Sequence, residues 1–169
     1  FLDLIDKDET IAIKKIENIL KKYEKKYNIL WLDMMKNKIN INQSHENDII
    51  LINELLDLMH VFKLDYTNTF IDIENHNLEK YDFMKDWILK YKDRNKFNKK
   101  SEKINNQNPK IIPRNHTIES ILNEVERNYY KNLKEFLIHL KNPYNTNIPE
   151  KYKKEPTEGE KVHQTFCGT

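Results

Sequence analysis

Only two glycines, Gly159 and Gly168, occur among 169 residues, and both fall within the last eleven. A body this poor in glycine excludes the glycine-rich loops of dinucleotide and P-loop sites, where the backbone must approach phosphate without a Cβ in the way. A nucleotide bound by any protein containing this chain is therefore expected to be held mainly by residues outside it. With no alternating apolar-polar segment to suggest a strand, the periodicity left to read is helical.

That periodicity is clear. Between residues 9 and 35, Ile13, Ile16, Ile19/Leu20, Tyr23, Tyr27, Leu30/Trp31 and Met34/Met35 recur at steps of three and four, one apolar stripe on a long helix with Lys and Glu on its wet face. "NDIILINELLDLMHVF" (47–62) is apolar nearly all round and reads as a buried helix. Asp65 in "DYTNTF" (65–70) is placed to cap a short helix. Residues 78–93 place Leu78, Tyr81, Met84, Trp87/Ile88 and Tyr91 on one face, which predicts another helix. Residues 94–108 lose all periodicity and read as an exposed connector. Two prolines, Pro109 and Pro113, precede a helix with Thr117 as its expected N-cap and Ile118, Ile121/Leu122, Val125 and Tyr129 as its stripe. A break near Asn128 leads to "NLKEFLIHL", which stops before Pro143. The expected fold is all-α, an irregular multi-helix assembly. The expected organisation is a helical domain over 1–141 and an irregular tail over 142–169.

Charge and cysteine content narrow the function. Twenty-nine Lys and Arg against 27 Asp and Glu leave a net charge of +2, far from the basic excess of a dedicated nucleic-acid binder. Mean hydropathy is −0.87, and no apolar run has the length of a membrane span or the pattern of a secretory signal. The single cysteine, Cys167, rules out an internal disulfide and a cysteine-based zinc site. The start without Met, in the lead-in to a helix, suggests a piece of a longer protein.

The six histidines (45, 60, 76, 116, 139 and 163) show no metal-ligand pairing, and His60 and His139 read as helix-face residues. "KYKDRNKFNKK" (90–100) interleaves Tyr91 and Phe97 with basic residues, a pattern that suits base stacking but equally a solvated helix end. Glu17, Glu24, Glu124 and Glu126 read as solubilising charge. Arg114 stands just before a helix N-terminus, where a cation is repelled; it is expected to reach a carboxylate or carbonyl elsewhere and tie this strut to its neighbour. No catalytic centre is apparent.

Four pieces occur in an order that resembles one family. "NPKIIPRN" (108–115) resembles the NPKYxxRN signature of the selenoprotein O (SelO) family of kinase-fold protein adenylyltransferases. "WLDMMKNKINI" (31–41) resembles its W-x-x-x-M-R-x-K-L-G-L element, and "DYTNTF" (65–70) its D-F/Y-T-N-T-F-R element. "LKNPYN" (140–145) resembles its helix stop, and "FCGT" (166–169) its short tail carrying Cys or selenocysteine. Asp65, Thr67, Asn68, Asn108, Pro109, Arg114 and Asn115 are the motif residues, read as structural. The chain departs at Asn40, where the family has Gly, and at Ile71, where it has Arg; Asn accepts a left-handed backbone, so that turn is expected to survive.

The resemblance implies the C-terminal helical part of a protein-kinase-like fold. Its parent would bind ATP and Mg (or Mn) and transfer AMP to Ser, Thr or Tyr hydroxyls of protein substrates. The family's catalytic residues lie N-terminal to everything here, so the implied partner is the upstream kinase-like lobe. Neither a nucleic acid nor a membrane is implied. Cys167 stands where the family's tail cysteine pairs with a thiol of the activation-loop region. The implied location is mitochondrial in a eukaryote or cytoplasmic in a bacterium, and not secreted. The rival readings are a stand-alone helical scaffold or interaction module without catalysis, and a single-strand binder acting through 90–103.

Overall fold

The computed structural model describes residues 2–96 and 107–161. Cys167, Phe97 and His163 lie outside the described residues. Among those described, the chain is all-helical with no strand: α1 (Glu9–Lys38), α2 (Asp48–Val61), α3 (Tyr66–Glu74), α4 (Lys85–Asn95), α5 (Asn115–Glu126) and α6 (Lys131–Leu140), with single 3-10 turns before, between and after them. The expected fold class is borne out.

Two apolar clusters organise these helices. The larger joins the C-terminal end of α1 (Met35), the loop after it (Ile39, Ile41), and α2, α3 and α4. Trp87 and Tyr91 of α4 stack at 5.1 Å between ring centroids. Each finds a partner for its polar end: Trp87 Nε1 donates to the Leu51 carbonyl and Tyr91 Oη to that of Ile39. Burial pushes the Tyr91 phenol up to about 12. Tyr91 is thus a core residue, and its ring is closed to a nucleobase.

The smaller cluster gathers Ile111, Ile121, Phe136, Ile148 and Tyr152. From Pro143 to Lys161 the described backbone holds two 3-10 turns, Glu150–Tyr152 and Glu158–Glu160, and Ile148 and Tyr152 pack against α5 and α6. Tyr152 Oη donates to Glu135, and Lys151 lies over the Tyr152 ring at 4.7 Å.

The scarcity of glycine is met in an unusual way. Asn40, Lys63, His76 and Asn128 all have φ between 51° and 60°. Each follows the end of a helix and closes it with a pair of backward hydrogen bonds. After α1, for example, Asn40 N donates to Asn37 O (3.0 Å) and Ile41 N to Lys36 O (2.8 Å). These are Schellman closures, a place usually given to glycine, made here by side-chain-bearing residues.

Four details differ from the sequence expectation. Leu78, Tyr81 and Met84, expected on one helix with Trp87 and Tyr91, lie before α4 in a turn and a 3-10 segment, and still reach the same core. Helix α5 begins at Asn115 with Arg114 as its extended N-cap residue, and Thr117 is buried in the first turn. The reason is that Arg114 is pinned elsewhere, which sets the start of the helix two residues ahead of Thr117. Helix α4 runs to Asn95, and Asn108 is 1 % exposed, so the connector starts later than residue 94 and its last residue is inside the protein. Finally, the apolar stripe of α1 is bare over its middle: all residues from 21 to 30 are exposed, whereas Ala12 and Met35 are buried toward its two ends.

Candidate functional site

Four of the motif residues, Asp65, Asn68, Asn108 and Arg114, take part in one polar clamp. "NPKIIPRN" crosses from α3 to α5 and binds at three points to the α1 end and α3. Asn108 comes first. Its Nδ2 donates to the Lys38 carbonyl (2.9 Å), the Phe70 carbonyl (3.3 Å) and Glu74 Oε2 (2.9 Å), while its Oδ1 accepts from Lys38 Nζ (3.1 Å). Two residues on, Lys110 Nζ reaches Glu74 Oε1 at 2.7 Å, with both side chains 7 % exposed. The Lys110 amide donates to the Pro143 carbonyl, which brings in the stop after α6. Arg114 then donates from Nη1 and Nη2 to the two oxygens of Asp65, at 2.5 and 2.8 Å.

Asp65 serves two helices. Its Oδ1 also accepts from Asn68 N at 2.8 Å, capping α3, while Arg114 precedes α5. A carboxylate at a helix N-terminus is favoured by the dipole and the unpaired N–H groups there. A cation in the same position is disfavoured, and the fork onto Asp65 offsets that. Burial would raise the Asp65 carboxyl, but the hydrogen bonds from Arg114 and Asn68 and the Arg114 charge outweigh it and hold the group below the usual carboxylate range. The Arg114 guanidinium is correspondingly held above its ordinary value, first by the hydrogen bond to Asp65. Arg114 Nε is buried with no hydrogen-bond partner among the described residues.

Asn68 carries the clamp to the tail: its Nδ2 donates to the Lys153 carbonyl (3.3 Å) and to Glu155 Oε1 (3.1 Å). On the far side, Lys38 Nζ lies over the Phe70 ring (4.7 Å) and the Tyr66 ring (5.4 Å). Burial pushes the Lys38 ammonium down, and Glu74 opposes that shift. Of the other motif residues, Thr67 lies half-buried in the first turn of α3, Pro109 is half-buried between Asn108 and Lys110, and Asn115 is exposed as the first residue of α5.

Lys38, Glu74 and Lys110 are central to this network, and sequence reasoning did not single them out. Lys110 lies within the quoted motif between two prolines, which was a usable signal. Glu74 offered none, because its partners are 34 and 36 residues away. Nor is Glu124 plain solubilising charge: Asn132 Nδ2 donates to both its oxygens, at 2.9 and 2.8 Å, joining α5 to α6.

The chemistry of the arrangement is that of a fastener. Lys110 is paired with Glu74 and Arg114 with Asp65, Lys38 is held by the Asn108 oxygen and two aromatic rings, and the Asn108 amide is saturated. A cavity of about 260 Å³ opens beside it between α5, α6 and the tail, lined by Ser120, Glu124, Lys151 and Lys154 among others. Among the described residues, no group of three or more His, Cys, Asp or Glu lies close enough to hold a metal ion. The Tyr81 phenol donates to Asp72 at 2.6 Å, but burial, followed by that bond, raises its pKa, so it stays protonated at neutral pH. No helix among the described residues is long and apolar enough to cross a membrane.

Fold and site together define a helical assembly whose two apolar clusters are fastened by a buried polar clamp drawn from its own sequence motifs. Comparison with known proteins gives the class a family. The chain belongs to the family described as "Protein adenylyltransferase SelO", whose model matches residues 5–141. It is similar to the "Protein nucleotidyltransferase YdiU" of Clostridium perfringens strain ATCC 13124, at 35 % identity over 98 % of this chain and 35 % of that protein. It is also similar to proteins of the same name from Clostridium botulinum strain Eklund 17B and Bacillus cereus strain G9842, each at 34 % identity over 99 % of this chain and 37 % of the relative. The chain thus spans about a third of the length of the curated relatives it matches. No solved structure matches it.

Proposed function

We propose that this chain is the C-terminal helical region of a protein adenylyltransferase, the part that buttresses the catalytic lobe of a kinase-like fold. In the reaction proposed for the whole protein, a Ser, Thr or Tyr hydroxyl of a protein substrate attacks the α-phosphorus of ATP. The bond from that phosphorus to the bridging oxygen breaks, pyrophosphate leaves, and the hydroxyl proton passes to a base or to water. A divalent Mg or Mn would supply charge stabilisation to the phosphates. Both it and ATP are assigned to upstream residues of the protein, where the family resemblance places the catalytic lobe.

The observation that carries this reading is the fate of the motif residues. Asp65, Asn68 and Arg114 are engaged with one another, Asn68 also with the tail, and Asn108 with the end of α1 and with α3. A region whose signature is spent on internal fastening contributes rigidity, and the chemistry belongs to another part of the polypeptide. The exposed stripe of α1 favours this over a stand-alone scaffold, which would cover its apolar faces. We assign Cys167, in the 142–169 tail, as a thiol that forms a disulfide with a cysteine of the catalytic lobe when a thiol oxidant takes up the two electrons and two protons released.

The test is transfer of label by the complete gene product with Mg or Mn. Protein that gains label from ATP carrying it at the α-phosphate, and none from ATP carrying it at the γ-phosphate, supports AMP transfer. The reverse pattern, or no transfer with either nucleotide, overturns it. For the tail, a disulfide map of the oxidised protein showing Cys167 only as free thiol removes the redox assignment.

A further inference from the structure

Helix α1 carries a seam that, over residues 17–30, lies exposed among the described residues. Ile13, Ile16, Leu20, Tyr23, Tyr27 and Leu30 follow at steps of three, four, three, four and three, the alternation of a two-helix coil. Leu20 is 60 % exposed and Tyr23 67 %, on a stretch with no described element packed over it. So long an apolar stripe on a helix standing away from its own core is an interaction surface.

Charge beside the seam argues against a second copy as the occupant. Glu17 and Glu24 flank one edge, while Ile19 and Lys26 flank the other. In an antiparallel pair of α1 helices the glutamates of the two copies would face each other. In a parallel pair, Ile19 would meet Glu24, and Lys26 would meet Trp31. Neither arrangement sets opposite charges together, whereas self-pairing coils use these flanks for attraction.

The length of the relatives supplies the alternative. Alignments that include α1 cover 98–99 % of this chain but only 35–37 % of each relative, so the rest of a relative is nearly twice as long as the part matched. We propose that the α1 seam docks an amphipathic helix from the remaining polypeptide of the same protein. That helix would lie alongside α1 over residues 13–30, with Lys or Arg facing Glu17 and Glu24. This inference rests on the reading of the chain as one region of a longer adenylyltransferase.

The experiment compares amide hydrogen exchange over residues 20–30 in the complete gene product and in the 169-residue chain. Leu20→Lys serves as the disrupting variant, and Lys25→Glu, on the opposite face of α1, as the control. Docking requires exchange slowed by about tenfold or more in the complete product, lost in Leu20→Lys and kept in Lys25→Glu. Cross-links from Lys21 or Lys26 to residues outside the 169 add support. Equal exchange in both proteins, or protection that survives Leu20→Lys, overturns the proposal. Protection that appears only with concentration, together with a dimer mass in sedimentation, overturns it in favour of a second copy. Protection without AMP transfer in the same preparation supports the docking and overturns only the enzymatic reading.

Discussion

Arg114 grips Asp65 across 49 residues of sequence, two parallel N–H···O bonds joining the position before α5 to the cap of α3. Side-chain exposure is 8 % for the arginine and 15 % for the aspartate, so water competes little for either. Removing one partner leaves the other charge buried and unmatched. Arg114→Ala is expected to lower unfolding free energy by about 3 kcal/mol, and Arg114→Lys, which keeps the charge but loses the fork, by about 1–2 kcal/mol. Urea unfolding monitored by helix content measures both. Equal losses in the two variants would show that charge alone matters and that the fork adds nothing.

The same pair predicts an acid limb. Asp65 is held below the ordinary carboxylate range in the folded protein, so it binds its proton later there than in the unfolded chain. Its contribution is complete above about pH 4, the unfolded carboxylate value, and is lost as pH falls through the lower folded value. Asp65→Asn should be less stable than the parent at neutral pH, and the gap should narrow as the pH is lowered below about 4. Melting temperatures taken between neutral pH and pH 3 decide the point; a constant gap would remove Asp65 from the acid transition.

Asn108 has no spare capacity. Its amide donates to Lys38 O, Phe70 O and Glu74, and accepts from Lys38. Asn108→Leu keeps the volume and strips every bond, leaving two carbonyls and a carboxylate short of a buried donor. The expected cost is about 2–4 kcal/mol by denaturant unfolding, more than a Leu in a polar site would cost at the surface. A loss under about 1 kcal/mol would mean that water replaces the amide.

The glycine-free helix ends offer a gain. Lys63 sits at φ 51° after α2, where a Cβ is strained. Lys63→Gly is expected to raise stability by up to about 1 kcal/mol, and Asn40→Val to lower it by about 1–2 kcal/mol. Differential scanning calorimetry would register these as opposite shifts in Tm. A fall for Lys63→Gly would locate the dominant effect in the unfolded chain, where glycine adds entropy.

Secondary structure was largely legible because it is local. The three-four spacing of α1, the Asp65 cap and the break at Asn128 each depend on neighbours within a turn of helix, and all appear where the periodicity placed them. Arg114 was also readable as a tie, since a cation at a helix start must find an acceptor. Which acceptor was not readable, because nothing in the spacing of Asp65 and Arg114 records that α3 and α5 meet. For the same reason Thr117 was misplaced as a cap: the start of α5 is set by a bond to another helix.

By itself, then, the sequence determined the helices, their apolar faces, the absence of glycine-rich phosphate loops and the motif order that marks the family. These follow from side-chain chemistry at short range. Only the tertiary structure decided which charges meet, that Tyr91 and Asn108 are interior, and that the stripe of α1 is left open. The contacts of the clamp join positions 34 to 87 residues apart, as Asn108 and Glu74 are at 34 and Asn68 and Glu155 at 87, and no local pattern encodes that distance.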